Sequence, residues 1–513
     1  MQNLNDNVLS SVRFPHMDSE TYLDRYKLSI NDRDSYWSVR AEEFIDWQTM
    51  FKQVESTQDG QSRWFVGGEM NVASNCLDRH LETKGDDIAI IWCAEEKGLD
   101  RKISYKQLHA EVCSFANALA SKGLEKGDIV CLYSTMLPEI IVSMLACARL
   151  GLVYEFVDLE LAEDLIHEQI TSAQPKLIIT QDIGIRSGKR YALFERSRKL
   201  AKLNDCIQNI VVIRSVGGSL TPQDEHEFWY HDLMNKSCAQ IEPAKVAADA
   251  PLFMSYVHEQ KCHLGYINAG YLLYCAITQR RIFDYQDGDV FWVATNFNVV
   301  TGHALAIWGS LINGATTVLY DGDANLLDSD RFWKIVSEYD VNLLYAREDG
   351  LAKMVAADAG KIERESWENL RVVGLAFSEN NEEVIAKCQE LSFDYCTVVT
   401  TTNLLNTGQI LFAYATTDDD VVVGGLGDPF FGIQPVLVNE SGELFSDDGQ
   451  AQGDLKLLNS WPSQNRVLYA NHDHDDTKNE STLVGQWEKD QSYINTGLSV
   501  TRDSAGHYHL LKK

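Results

Sequence analysis

The residues best suited to chemistry form a run of cations. Between Gly184 and Lys202 lie Arg186, Lys189, Arg190, Arg196, Arg198, Lys199 and Lys202, opposed only by Glu195. The run opens in a glycine-containing turn (GIRSGKR) just after the apolar segment KLIIT. Loops at the carboxyl ends of strands are where open α/β sheets bind ligands, and guanidinium groups offer planar paired donors to phosphate. The alternative is a solvated basic helix face or a protein-docking patch. Other motifs are weaker. GxxxxGK(S/T) and GxGxxG do not occur, so no phosphate-cradling glycine loop is legible. The glycines of residues 424–427 read as a turn in a β-rich region. The polar run 471–476 (NHDHDD) has metal-ligand residue types, but consecutive side chains rarely converge on one ion, so it reads as a solvated loop. Asp418, Asp419 and Asp420 read as a charged turn. GxSxG is absent, and eleven scattered cysteines contain no CxxC, which gives no nucleophile signature and no metal site.

These residues need a scaffold, and the hydrophobic periodicity supplies one. Leu108, Val112, Phe115, Ala116 and Leu119 share one face of a helix predicted over 105–122. Residues 128–135 read as a buried strand and 138–151 as a helix with proline in its first turn. A strand at 154–158, a helix at 162–173 and a strand at 176–180 continue a βαβαβ order, which implies a parallel, helix-covered sheet. A second round runs from strand 290–296 through helix 302–313, strand 315–320, helix 329–339, strands 342–346 and 371–376, and helix 381–391. Beyond residue 408 the strands 409–415, 435–444 and 453–458 are joined by turns. The expected divisions are an N-terminal extension at 1–100, a first αβ subdomain at 101–250, a second at 251–407 and a β-rich module at 408–513.

The chain has 513 residues, with 45 Lys plus Arg against 75 Asp plus Glu, a net charge of −30. That surface repels nucleic-acid backbones. The apolar stretch 140–154 is interrupted by Arg149 and too short to span a bilayer, so no membrane insertion is expected. A polar residue 1–14 segment gives no signal peptide. An odd, unclustered set of cysteines suits a cytoplasmic protein.

Several segments carry a resemblance. Residues 64–68 (WFVGG), Asn71 and 75–80 (NCLDRH) resemble the N-terminal signature of short-chain acyl-CoA synthetases of the acetyl/propionyl type. So do Ile103-Ser104-Tyr105 with Leu108, 136–139 (MLPE), 145–151 (LACARLG), 300–303 (VTGH) and 429–435 (PFFGIQP). They follow the family's order from about Trp37 onward. The resemblance implies an adenylate-forming enzyme: ATP and a carboxylic acid give acyl-AMP, and CoA displaces AMP. It also implies the α/β large domain of such an enzyme, two αβ subdomains with a β-barrel-like piece.

Residue by residue, the same resemblance implies departures. The phosphate loop falls on 256–264 (YVHEQKCHL), which is shorter and lacks glycine, with His258 and Glu259 at its centre. The adenine-pocket Gly-Glu-Pro falls on Phe377-Ser378-Glu379. The Trp-Trp-Gln-Thr-Glu motif falls on Val398 to Thr402, which puts Thr400 inside it and Thr402 at the magnesium-associated glutamate. The ribose-binding aspartate falls on Leu498, and the ending (506–513) matches the approach to the family's hinge, without the mobile domain beyond. Each preorganised donor lost is worth about 3–4 kcal/mol, and two such losses slow turnover by roughly four orders of magnitude. The expectation is therefore a truncated, degenerate, non-catalytic homologue: a ligand-binding, regulatory or scaffold protein with a protein partner at the exposed former domain interface. ATP and magnesium are not expected, and CoA or acyl-CoA is an allowed ligand. The rivals are ATP-independent acyl or CoA chemistry on the same scaffold, and a ligase completed by a separate subunit. Arg186, Lys189 and Arg190 match the turn that contacts the CoA nucleotide. Glu160 stands in the loop near the pantetheine. Val300, Thr301, Ala376 and Val399 are the acyl-pocket candidates, and Val399, in place of tryptophan, deepens that pocket.

Overall fold

The computed structural model describes residues 19–58, 61–96, 98–216, 221–295, 300–322, 327–357, 368–376, 396–404, 407, 409–416, 425–445, 449–470, 486, 493–504 and 507–511. Two large twisted sheets carry the chain. In the first, eight strands lie in the order Glu227–Trp229, Asn209–Ile213, Leu177–Gln181, Ile129–Tyr133, Val153–Phe156, Pro251–Val257, Cys262–Ile267 and Arg466–Ala470. In the second, nine strands run from Asp428–Pro429 through Ile410–Thr416, Thr397–Asn403, Val372–Ala376, Leu343–Arg347, Val290–Ala294, Thr316–Tyr320 and Ile88–Cys93 to Arg101–Ser104. The centres of both sheets are parallel; antiparallel strands close both edges of the second sheet and one edge of the first, whose other edge, Glu227–Trp229, pairs parallel. A four-stranded antiparallel sheet, Pro435–Val438, Ala451–Leu457, Ile494–Arg502 and Tyr508–Leu510, forms the smaller module.

The helices follow local chemistry. Tyr105–Ala120 is opened by a reciprocal cap between Ser104 and Gln107. Pro138–Leu150 has proline at its start and ends on Gly151 at φ 73°. The helix predicted over 302–313 begins at Val300 and contains a π-helical stretch, His303–Gly309, a form that recurs at functional sites. The helix expected at 381–391 lies outside the described residues.

Sheet membership does not follow the contiguous divisions at residues 100, 250 and 407. Strand Ile88–Cys93, from the N-terminal piece, pairs with Thr316–Tyr320 in the second sheet. The hairpin Pro251–Val257 and Cys262–Ile267 extends the first sheet, and Ile410–Thr416 pairs with Thr397–Asn403 rather than with the small module. Periodicity is local, whereas strand partners here are hundreds of residues apart. The N-terminal helices are bound in firmly. Tyr22, Tyr26 and Trp37 are fully buried, and the Tyr26 hydroxyl donates to the Ile433 carbonyl at 2.7 Å. Among the described residues, no helix is long and apolar enough to cross a membrane.

Candidate functional site

Strand Thr397–Asn403 presents Val399, Thr401 and Asn403 on the same face, because side chains alternate along a strand. Val399 is fully buried within the main core. Toward the strand's carboxyl end, polar groups form a directed chain. Asn403 Nδ2 donates to Tyr345 Oη at 3.2 Å, and Tyr345 Oη lies 3.1 Å from Thr401 Oγ1. Thr401 Oγ1 donates to the Leu375 carbonyl at 3.2 Å, so the tyrosine is the donor to Thr401. Asn403 Nδ2 also lies 3.4 Å from Thr301 Oγ1, at the start of the π-containing helix. Asn403 Oδ1 is buried and has no hydrogen-bond partner. A buried acceptor left unmatched is costly, so this arrangement suits a ligand that completes it.

The other acyl-pocket candidates are nearby in the fold. Val300 packs against the core, and its carbonyl lies 3.5 Å from Tyr271 Oη. Ala376 pairs with Thr401 across the sheet. His303 is buried against Phe156 and Phe253, with ring centroids at 4.7 and 5.8 Å. Burial lowers its pKa to about 3, so the imidazole is neutral and serves as packing.

The positions matched to a nucleotide site lie on different elements. Residues 258–261 form the tip of a tight hairpin, where Gln260 N–H donates to the Val257 carbonyl and Lys261 has φ 49°. His258 packs edge-on to Tyr256, and Glu259 is exposed. Thr400 is fully buried. Thr402 donates its hydroxyl to the Leu426 carbonyl at 2.9 Å, and that position offers no anionic oxygen to a cation. Magnesium therefore does not fit there. Leu498 sits at a register irregularity opposite Leu455 in the small sheet. Phe377, the aspartate run 418–420 and the run 471–476 lie outside the described residues. Gly427 has φ 91°, and a Cβ there would meet the Ala413 backbone at 2.7 Å, so this glycine serves a close strand approach.

The basic run folds as a hairpin, Gly184–Arg186 with Lys189–Tyr191, followed by helix Leu193–Leu203. Much of its charge is matched by acids remote in sequence. Arg198 makes two 2.6 Å contacts with Glu227, while Arg196 and Lys199 lie 3.9 and 3.7 Å from Glu163. Lys189 and Arg190 are exposed, as surface ligands would need. Arg186 is not: its side chain is only 11% exposed and faces Asp158 at 3.9 Å. The adjoining Glu160 accepts from the Tyr191 hydroxyl at 3.0 Å. Sequence reasoning missed Tyr345, Asn403 and Glu95. None lies in a motif, and only strand pairing brings the first two together. Nearby, burial raises the Asp321 carboxyl pKa to about 7; the Thr135 hydrogen bond opposes this, Glu95 and Glu139 add to it, and Arg186 opposes it.

Comparison with known proteins adds a second line. Residues 77–256 and 263–456 match the family described as AMP-binding enzyme, and residues 22–76 match the acetyl-coenzyme A synthetase N-terminus. The match is interrupted at the hairpin tip. Acetyl-coenzyme A synthetase of Alkalilimnicola ehrlichii is 32% identical over 499 residues, covering 96% of this chain and 76% of that protein. The Vibrio cholerae acetyl-coenzyme A synthetase is 34% identical over 504 residues, with the same coverage of each chain. Acetyl-coenzyme A synthetase 2 of Pseudomonas aeruginosa is 33% identical over 501 residues, again covering 96% and 76%. Among solved structures, acetoacetyl-CoA synthetase from Streptomyces lividans superposes with a TM-score of 0.81 at 19% identity, over 94% of this chain and 74% of that one, a likeness of fold.

These findings overturn the expectation of an inactive homologue. Similarity to proteins named as synthetases runs through nearly the whole chain, whereas the inactive reading rested on side chains at a few aligned positions. The physical flaw is specific. Phosphates are held largely by backbone N–H groups, and replacing a loop's side chains does not remove those donors.

Proposed function

Because this chain belongs to the acetyl-coenzyme A synthetase family of AMP-binding enzymes, we propose that it joins a short carboxylic acid to coenzyme A after nucleotide activation of the acid. The observation that carries this reading is the chain Asn403, Tyr345, Thr401, Leu375 carbonyl, with Thr301 beside it. It fixes the Asn403 carboxamide and leaves one end unmatched, ready to orient a polar acyl head group. Linked hydrogen bonds polarise one another and hold such a group rigidly. Val300, Ala376 and Val399 form the apolar side of the same region and receive the alkyl portion. In this reading valine at 399 favours acids one or two carbons longer than acetate. Lys189 and Arg190, the exposed cations of the turn, receive the nucleotide end of CoA. The nucleotide-phosphate contact is remodelled at residues 257–262 rather than lost. Burial holds the His303 imidazole in its neutral form. We place the reaction in the cytoplasm, since the described cysteines are free thiols, which suits a reducing compartment.

The test is a thioester assay on the full chain with ATP, magnesium, CoA and each of acetate, propionate and butyrate. Acid-dependent thioester is expected, with propionate or butyrate ahead of acetate. Absence of both thioester and acyl adenylate with every acid would sink the proposal.

A further inference from the structure

The polar chain at the carboxyl end of strand Thr397–Asn403 has a fixed direction, and that direction decides what can complete it. It ends on the Leu375 carbonyl, which can only accept. Thr401 spends its one proton there, so its oxygen receives the Tyr345 phenol proton at 3.1 Å. Burial raises the Tyr345 pKa against the opposing hydrogen bonds of Thr401 and Asn403, so the phenol keeps that proton. The Tyr345 oxygen is then left to accept, and the group 3.2 Å away is the Asn403 amide nitrogen. The two ends of the carboxamide are thereby told apart. Nδ2 faces Tyr345 and Thr301, whereas Oδ1 is buried and has no donor. Thr301 Oγ1 lies 3.4 Å from the same Nδ2 as an acceptor, and its own proton goes to no acceptor among the described residues. One open acceptor and one open donor thus stand beside a single amide nitrogen.

We infer that the acid selected here carries a hydroxyl group on its carbon chain, which donates to Asn403 Oδ1 and accepts from the Thr301 hydroxyl. The inference rests on the proposed function for placing an acid among these residues. The carboxylate to be activated cannot close the site, because an ionised carboxylate only accepts. An oxo substituent also only accepts, so it leaves Asn403 Oδ1 unmatched. An ammonium substituent only donates, leaves Thr301 unmatched and adds the cost of burying a charge. A hydroxyl does both and is scarcely larger than the hydrogen it replaces on a short chain. The remaining carbons meet Val399, which is fully buried, and Val300 and Ala376, which are partly buried against the same core. Discrimination comes from the unequal cost. An unsubstituted acid excludes water from a buried acceptor without replacing the lost hydrogen bond, which is why sites built around a substrate hydroxyl reject analogues lacking it.

The test is ligand-observed NMR titration of the full chain, with and without ATP and magnesium, followed by thioester assays on the same acids. The probes are butyrate, 2-hydroxybutyrate, 3-hydroxybutyrate, 4-hydroxybutyrate, acetoacetate and 3-aminobutyrate, which share one chain length. The best of the hydroxy acids is expected to bind about tenfold or more tighter than butyrate and acetoacetate, the fold-change that an unmatched buried polar group carries. Asn403→Leu should largely abolish the preference over butyrate and acetoacetate. Thr301→Val keeps the shape and removes the donor, so it should reduce the preference over 3-aminobutyrate. The comparison of acids on the unaltered protein carries the test if either variant fails to fold. Equal binding of butyrate and all the hydroxy acids, or acetoacetate bound as tightly as the best of them, overturns the inference. A preference that survives unchanged in both folded variants overturns it too, as does the absence of binding by every acid in either condition. Thioester formed from these acids without preference leaves the proposed function standing and removes this inference. A hydroxyl preference in binding without any thioester or adenylate does the reverse.

Discussion

At the scale of single residues, much of the N-terminal signature braces the molecule. Asn71 Nδ2 donates to the carbonyls of Ala148, Arg149 and Ala244 at 2.8–3.1 Å. Arg149 grips Asp78 with contacts of 2.7 and 3.0 Å and spends its remaining donors on the Ile241 carbonyl. Burial works against the Asp78 carboxylate, but hydrogen bonds from His109 and Arg149 outweigh it and hold the pKa at about 2. Removing the arginine leaves a half-buried carboxylate with His109 as its remaining partner. Arg149→Met should therefore destabilise the fold by about 1–3 kcal/mol, read from denaturant unfolding. A change below about 1 kcal/mol would show that the pair is dispensable. Asn403 belongs to the other class of residue, because its unmatched oxygen does nothing for the fold. Asn403→Leu removes the contacts from Nδ2 to Tyr345 and Thr301, so it should lower stability by about 1–3 kcal/mol and lower kcat/KM for the acid by about tenfold or more. A large loss of stability with unaltered kinetics would make Asn403 structural.

At the scale of elements, periodicity and caps were enough to read most helices and parallel strands, because those signals are local. Ser104 with Gln107, Pro138 and Gly151 mark helix ends in the sequence itself. Pairing was not legible. Nothing near Ile88 announces a partner at Thr316, and nothing in the basic run announces Glu227 or Glu163 as its counter-ions. For the same reason a cluster of seven cations reads in sequence either as a phosphate site or as a solvated or protein-docking face, and its internal matching by Glu227 and Glu163 is invisible there. Asn403 escaped notice because its role depends on Tyr345, a strand away. Close approaches between elements are also invisible in sequence. Helix Asn268–Ile282 carries Gly270, where a Cβ would lie 1.8 Å from the Pro462 carbonyl oxygen. Neither backbone can yield cheaply, so Gly270→Ala should cost at least about 1–3 kcal/mol. Gly270 is not among the left-handed glycines, so backbone strain does not contribute to that loss. An unfolding midpoint for Gly270→Ala equal to that of the unaltered protein would mean that the Pro462 contact is relieved without consequence.

At the scale of the whole molecule, the charge of −30 and the placement of a few acids set the response to pH. Two carboxyl groups, Asp321 and Asp428, are raised to about 7, the first chiefly and the second entirely by burial. Between their ordinary value and 7 the folded chain holds more protons than the unfolded one, so their contribution is complete below about pH 4 and is lost as pH rises through 7. Asp78 and Asp503 act oppositely. Hydrogen bonds outweigh burial and lower both to about 2, so their contribution is present above about pH 4 and is lost as pH falls toward 2. Stability should therefore peak on the acid side of neutrality, and self-repulsion among the surplus carboxylates steepens the alkaline decline. Replacing Asp321 and Asp428 by asparagine removes the ionisable part of that decline. Each substitution should leave stability near pH 4.5 almost unchanged and raise it at pH 8 by at most about 4 kcal/mol, the limit set by the change in pKa. Unfolding midpoints measured from pH 4 to 8 at fixed high salt isolate this effect from surface repulsion, which salt screens. If both variants keep the alkaline slope of the unaltered protein, the two carboxyls are hydrated in solution and the decline belongs to other titrating groups.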